Sequence, residues 1–337
     1  MVCQSPVLFS GTPVSEHFTV HKLADGVYAL IHKIGGMAVG NSGLVDLGGH
    51  TLVFDTFLSL QAARDIPVLA KKLGLPPVQY VVNSHYHNDH VRGNPVFSDK
   101  VRIISTRRTA QLIEKKEPLE MEAEKKYAPK QLARYNRLLE NYSGDKTARE
   151  YLNLKMWQGY FKALVEDKTR LATRIPDVVF DDEKIIRGSQ RTAILMCLGG
   201  GHTESDLVLY LPEDQILFAG DLVFIQMHPY LADGSLPKLK KYLTRLQDLS
   251  VKTVVPGHGP VGDAGDIQVM KDYITMIETM VGKIIRDGSS IKGADAMEVP
   301  EPFRNWWFTD FFRSNLRFVL KKSTDDTADS RTSGLSP

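Results

Sequence analysis

The chain has 337 residues, 42% of them hydrophobic, and a formal net charge of +2 from 42 Lys and Arg against 40 Asp and Glu. This balance excludes disordered, collagen-like and disulfide-built chains and gives no charged field for nucleic acid or an anionic membrane. The length accommodates two ordinary domains or one large one. Cys3 reads as a free thiol near the terminus and Cys197 as a small buried hydrophobe, so the two cysteines make no framework.

Residues 1–17 read as an extension without the basic and long apolar regions of a signal peptide, and no apolar run reaches the ~18 residues of a membrane span. The expectation is a soluble cytoplasmic protein. Phe18 to His32 alternates around Asp25-Gly26, and Ser42–Asp46 and Thr51–Asp55 flank Gly48-Gly49, which predicts consecutive hairpins. Leu60 to Leu73 places Ala62, Ala63, Ile66, Leu69 and Ala70 on one helical face, and Val78–Val82 and Val101–Ser105 are short strands. Residues 107–173 change texture: rich in Glu, Lys, Leu, Ala and Arg, they predict two or three amphipathic helices interrupted at Asn141–Gly144. Their charge-dense part, Glu114 to Lys126, reads as a solvated face.

Strands return at Val178–Phe180, Lys184–Ile186, Thr192–Cys197, Leu207–Leu211, Gln215–Ala219 and Thr253–Val255, with helices at Leu236–Leu249, Ile267–Arg286 and Phe303–Lys321. In the last of these, Trp306 and Trp307 read as core anchors. Residues 323–337 read as a disordered polar tail. Residues 18–322 then form one α/β body of two similar β-rich halves separated by a helical insertion.

Strand Val78–Val82 leads into His85-Tyr86-His87-Asn88-Asp89-His90, a His-x-His-x-Asp-His pattern. In an extended loop His85 and His87 project to one side, and a following turn brings Asp89 and His90 to a second point. Neutral imidazole and carboxylate suit zinc and similar first-row metals. Three later strands each run into a glycine turn carrying a further donor: His202 after Gly199-Gly200-Gly201, Asp221 after Gly220, and His258 after Gly257.

These residues, in the order Asp55, His85–His90, His202, Asp221, His258, resemble the metallo-β-lactamase-fold superfamily of metal-dependent hydrolases from about Phe18 to Arg286. The resemblance implies a four-layered αββα sandwich with the site along one edge of its two sheets. It implies His85, His87 and His202 on one metal, Asp89, His90 and His258 on a second, and Asp221 bridging both. Asp55 then supports the histidine loop without touching metal. The metals are expected to be two Zn²⁺, with Mn²⁺ or Fe²⁺ as alternatives. The implied reaction is hydrolysis of an ester, lactone, thioester or similar bond by a bridging water, with Asp89 and Asp221 as catalytic residues. The stretch from His85 to His202 is long for that family. Residues 107–173 account for the excess, as a cap over the site or as a homodimer interface.

Departures from the family narrow the substrate. Many β-lactamases of this fold carry a cysteine where Asp221 stands and a lysine three residues later, where this chain has Phe224. Lactonases acting on acyl-homoserine lactones often have tyrosine there. Both activities remain alternatives within the fold. His87 stands where flavin-linked di-iron relatives have glutamate. Candidate substrate contacts are Asn41, Asn88, Phe224, Gln226, His228 and Tyr230, and the expected partner is a small molecule rather than nucleic acid or a membrane. Two readings from other classes are an iron-dependent persulfide oxidoreductase and a non-catalytic metal-binding scaffold.

Overall fold

The computed structural model describes residues 7–8, 15–166, 174–288 and 291–332, so Cys3 and residues 333–337 lie outside the described residues. Among the described residues thirteen strands form two sheets. The first holds β1 (Val7–Leu8), β2 (Phe18–Ala24), β3 (Val27–His32), β4 (Ser42–Asp46), β5 (Thr51–Phe54), β6 (Val78–Val82), β7 (Arg102–Thr106) and β8 (Val178–Phe180), side by side in chain order. The second holds β9 (Glu183–Arg187), β10 (Thr192–Gly199), β11 (Asp206–Leu211), β12 (Ile216–Phe224) and β13 (Thr253–His258), also in chain order. Pairing is antiparallel from β1 to β5 and from β9 to β12, and parallel from β5 to β8 and between β12 and β13. Gly26 (φ 72°) and Gly48 and Gly49 (φ 85° and 93°) supply the left-handed turns that close the first hairpins.

The helices are α1 (Leu60–Lys72), α2 (Asn88–Val91), α3 (Arg107–Glu140), α4 (Arg149–Glu166), α5 (Leu236–Gln247), α6 (Ala264–Arg286), α7 (Ile291–Asp295) and α8 (Thr309–Thr332). Period-two alternation assigns the layers. On β3, Val27, Ala29 and Ile31 face the second sheet, whereas Tyr28 and Leu30 join Ala62, Ile66 and Leu69 of α1. On β11, Leu207, Leu209 and Leu211 face the first sheet, whereas Val208 and Tyr210 join Leu239 of α5 and Ile274 of α6. The result is the four-layered αββα sandwich. Among the described residues no helix is long and apolar enough to cross a membrane.

Three sequence expectations change. The last helix begins at Thr309 rather than Phe303. Phe303–Asn305 is a single 3₁₀ turn, Trp307 pairs with Met227, and Phe308 has φ 59°, which breaks helical continuity. That helix then runs to Thr332, past the Lys322 boundary, through a stretch with neither glycine nor proline. Finally, Glu114 to Lys126 is not solvated throughout: Glu117 and Glu124 are buried against Arg92. α3 and α4 pack on each other and, through Ala128, Phe161 and Leu164, against Met37 and Leu58 of the body.

Candidate metal centre

Six of the seven donors sit at or just beyond a strand end, and Asp221 lies within β12 just after its irregularity at Gly220. After β6 the chain stays extended through His87 (φ −61°, ψ 146°), and α2 then turns Asp89 and His90 toward the same point. Gly199 (φ 84°) and Gly220 (φ 52°) bend the chain ahead of His202 and Asp221. A Cβ at Gly257 would stand 1.9 Å from Asp221 Oδ1, so only glycine lets β13 pass that carboxylate on the way to His258.

The structure brings the seven predicted donors together in two groups. His85, His87, His202 and Asp221 form one and Asp89, His90 and His258 the other, with donor atoms inside each group within 4.8 Å of one another. Asp221 touches both: its carboxylate lies 3.2 Å from His202 Nε2, 3.8 Å from His85 Nε2, 3.2 Å from His90 Nε2 and 3.4 Å from His258 Nε2. Asp89 Oδ2 lies 3.2 Å from His258 Nε2. His85 Nε2, His90 Nε2 and Asp221 Oδ1 are buried and find no hydrogen-bond partner among the described residues. Buried polar atoms are rarely left unpaired, and imidazole nitrogens converging with carboxylates form a donor set that fits first-row divalent cations.

Electrostatics agree with that reading. Burial pushes His85 well below its usual value and His202 down to about 3, keeping both neutral as ligands must be. Burial alone would also lower His90 and His258, but the surrounding carboxylates win, raising His90 well above the usual value and His258 to about 9. Burial opposes ionisation of Asp221, yet His258, His90 and His202 hold it well below the ordinary carboxylate range. The cluster therefore balances its carboxylates with positive charge, which is the role a cation fills.

Supporting groups fix the donors from behind. His90 Nδ1 lies 2.8 Å from Asp55 Oδ2, and Asp55 also accepts from Ser84 N and Ser84 Oγ at 2.7 Å each. Ser84 Oγ in turn contacts His85 Nδ1 at 2.9 Å. Asp55 thus sits behind His90 and Ser84 and takes a left-handed backbone (φ 59°) to do so. Sequence reasoning missed two more supports. Asp233 lies 3.1 Å from His87 Nε2. Asp206 accepts from the backbone of Gly201, His202 and Thr203, pinning the loop of His202. Asp206, at the start of β11, reaches back three to five residues to these N–H groups, a pattern no turn rule marks in the sequence, and nothing local marks Asp233.

A cavity of about 490 Å³ opens on the donors, with His87, Asp89, Asp221 and His258 in its wall. Phe224 and Tyr230 line it: Phe224 stacks on His258 (5.0 Å, 12°), and Tyr230 stands 6.1 Å from His87. Asn41 instead clamps two loops, donating to Pro256 O and Gly259 O and accepting from His32 N, so its amide is spent on backbone. His228 touches the cavity but is fully buried among Tyr273, Trp306 and Phe312, with Nδ1 3.0 Å from Tyr273 Oη, and packs as core. Asn88 donates to Glu124 Oε1, and Gln226 is exposed.

A model of the metallo-beta-lactamase superfamily matches residues 35–258. The beta-lactamase-like protein 2 homolog of Caenorhabditis elegans is 29% identical over 136 residues, 37% of this chain and 43% of that protein. The metallo-beta-lactamase type 2 of Bacillus cereus is 36% identical over 72 residues, 20% of this chain and 28% of that protein. The chain thus spans less than half the length of these curated relatives. Among solved structures, the DIM-1 metallo-beta-lactamase superposes with a TM-score of 0.54 at 15% identity, covering 77% of this chain and 98% of that one. At that identity the likeness is one of fold.

Proposed function

The chain belongs to the metallo-beta-lactamase superfamily, and on that premise we propose that it is a dinuclear metal-dependent hydrolase of small-molecule esters, lactones, thioesters or related carbonyl compounds. The observation that carries this reading is the placement of Asp221 between two groups of donors at the floor of one cavity. Two divalent cations, zinc first, would be held by His85, His87 and His202 and by Asp89, His90 and His258, sharing Asp221, and when bound would supply a water ionised near neutral pH and polarise the scissile carbonyl.

The chain's own residues do the rest. Asp55 and Ser84 orient His90 and His85, and Asp233 orients His87, so the donors need no rearrangement. Burial would raise Asp89, but His90 and His258 hold it well below the usual range. An ionised carboxylate in the cavity wall is placed to move a proton from water to the leaving group. Phe224 and Tyr230 exclude solvent beside the donors. A β-lactam specialist is disfavoured because the ring at Phe224, stacked on His258, offers no cation to a carboxylate. The near-neutral net charge and the concave cavity support a small-molecule substrate over nucleic acid or membrane.

Metal analysis of the purified protein, combined with a panel of aryl esters, lactones, thioesters, phosphodiesters and a chromogenic β-lactam, tests the proposal. Chelator-sensitive turnover of a carbonyl substrate is expected. Retained metal with no turnover on any member supports a scaffold, and a single iron with persulfide oxidation supports the oxidoreductase reading.

A further inference from the structure

An aromatic part of the cavity wall is built from segments far apart in sequence. Trp157 and Phe161 come from α4, Phe308 from the bend before α8, and Phe311 from α8 itself. Trp157 meets Phe308 edge-on (5.3 Å, 72°) and Phe311 likewise (5.9 Å, 82°), while Phe161 lies nearly parallel to Trp157 (6.0 Å, 23°). Trp157, Phe308 and Phe311 are only half-buried, so aromatic surface faces the cavity. Covering such surface is favourable in proportion to its area, and a volume of about 490 Å³ is in the range of a drug-sized ligand.

The charges in the same wall select the kind of ligand. Lys33 is the only Lys or Arg lining the cavity among the described residues, and its Nζ donates to Ser15 O at 2.7 Å. Glu120 lines the cavity and has no ion-pair partner among the described residues. Away from the donors, an anionic group on the ligand would share the cavity with the Glu120 carboxylate while Lys33 is already bonded to Ser15 O, and like charge in a confined site costs affinity.

The geometry points to an uncharged ester or lactone with a long or aromatic apolar arm as the substrate, its scissile carbonyl at the donor cluster and its arm against Trp157, Phe161, Phe308 and Phe311. This rests on the hydrolase reading. In the step, the water oxygen bonds to the acyl carbon, the acyl C–O bond breaks, and a water proton passes to the leaving oxygen, giving a carboxylic acid and an alcohol.

The test uses the full metal-loaded chain. kcat/KM is measured for 4-nitrophenyl acetate, 4-nitrophenyl octanoate and the mono-4-nitrophenyl ester of octanedioic acid. Calorimetry in parallel measures binding of two anilides that resist cleavage, octananilide and suberanilic acid, which differ by a terminal carboxylate. The octanoate is expected to exceed the acetate by at least about tenfold, since methylenes in an apolar pocket are worth that much. The carboxylate-ended ester and anilide should each fall about tenfold below their neutral counterparts, and Glu120→Gln should narrow that gap. Trp157→Ala should shrink the octanoate-to-acetate ratio. Equal rates for short and long esters, with both anilides binding alike, overturn the assignment while leaving the hydrolase reading intact. If no ester is cleaved but octananilide binds and suberanilic acid does not, the pocket assignment stands and the hydrolase reading falls.

Discussion

Arg92 Nη1 lies 2.6 Å from Glu124 Oε2, joining the turn that carries Asp89 and His90 to the long helix α3. Arg92 Nε also pairs with Glu117, and Glu124 accepts from Asn88 Nδ2 at 2.9 Å, so one buried cation holds two helical carboxylates beside the donors. Burial nonetheless pushes Glu117 up to about 7, because a single guanidinium does not fully offset the desolvation of two carboxyls. Arg92→Ala leaves Glu117 and Glu124 buried without their partner. Loss of one member of a buried pair costs about 3–5 kcal/mol, so denaturant unfolding should show a loss of that order. The variant's metal content should fall as well, since Asn88 and Glu124 fix the segment that presents Asp89 and His90. Unchanged stability would mean that the carboxyls are neutral and need no cation.

The frame of the protein was legible in the sequence because its signals are local. Alternation and glycine turns mark β2 to β5, and β6 spans Val78–Val82 as its β-rich run predicts. The donors were legible for the same reason: a short histidine motif and three strand-glycine-donor turns are written within a few residues each. What escaped depends on contacts across the fold. Glu117 and Glu124 belong to a charged helix whose sequence reads as solvated, and only Arg92, from another segment, explains their burial. Nothing in the sequence near Asn41 marks its partners at Pro256 and Gly259, which lie more than 200 residues away. Asp233 reaches His87 from a loop with no motif of its own.

Asp221 and Asp55 both serve the donors, at different distances from them. Asp221 lies within 3.8 Å of four histidines in both groups, whereas Asp55 touches only His90 among the donors. Asp221→Ala should therefore remove metal from both groups and abolish turnover. Asp55→Ala should cost about 10–100-fold in metal affinity or activity, the usual effect of losing a group that orients a ligand. Metal titration of the two variants checks the ranking, and the reverse order would mean that Asp221 does not join the two groups.

His228 offers a pH-dependent prediction away from the donors. Burial lowers it from 6.5 to about 4, with the charge of Arg149 adding to the effect. The unfolded chain takes up a proton near 6.5 while the folded chain resists until about 4. Its contribution is thus fully present above 6.5 and is lost as the pH falls toward 4, amounting to about 3 kcal/mol over that window. His32, also lowered to about 4 by burial, adds a slope in the same range. His228→Phe isolates the His228 share, and Tyr273 Oη keeps Asn315 as a partner at 3.4 Å in that variant. Stability curves of the two proteins should diverge below about pH 6.5, the wild type falling more steeply. Parallel curves would show that His228 takes up its proton alike in the folded and unfolded chain, with no lowering by burial.

Metal removal should loosen the junction between the two sheets. His85 and His87, with Asp89 and His90, leave the end of β6 in the first sheet, whereas His202, Asp221 and His258 come from β10, β12 and β13 in the second. Ions held between them would tie the sheets at one edge, where imidazolium and carboxylate otherwise balance each other in a buried space. The purified protein should carry about two metals per chain. A ligand that binds only the folded state stabilises by about 2.7 kcal/mol at a hundredfold excess over its dissociation constant. Chelation should therefore lower the melting temperature together with the loss of hydrolysis, and adding back Zn²⁺ or Mn²⁺ should restore both in parallel. The same titration in Asp221→Ala should restore neither. One metal per chain at full activity would rule out the dinuclear mechanism, because Asp221 would then have a single ion to hold and its contacts with the second group would be purely structural.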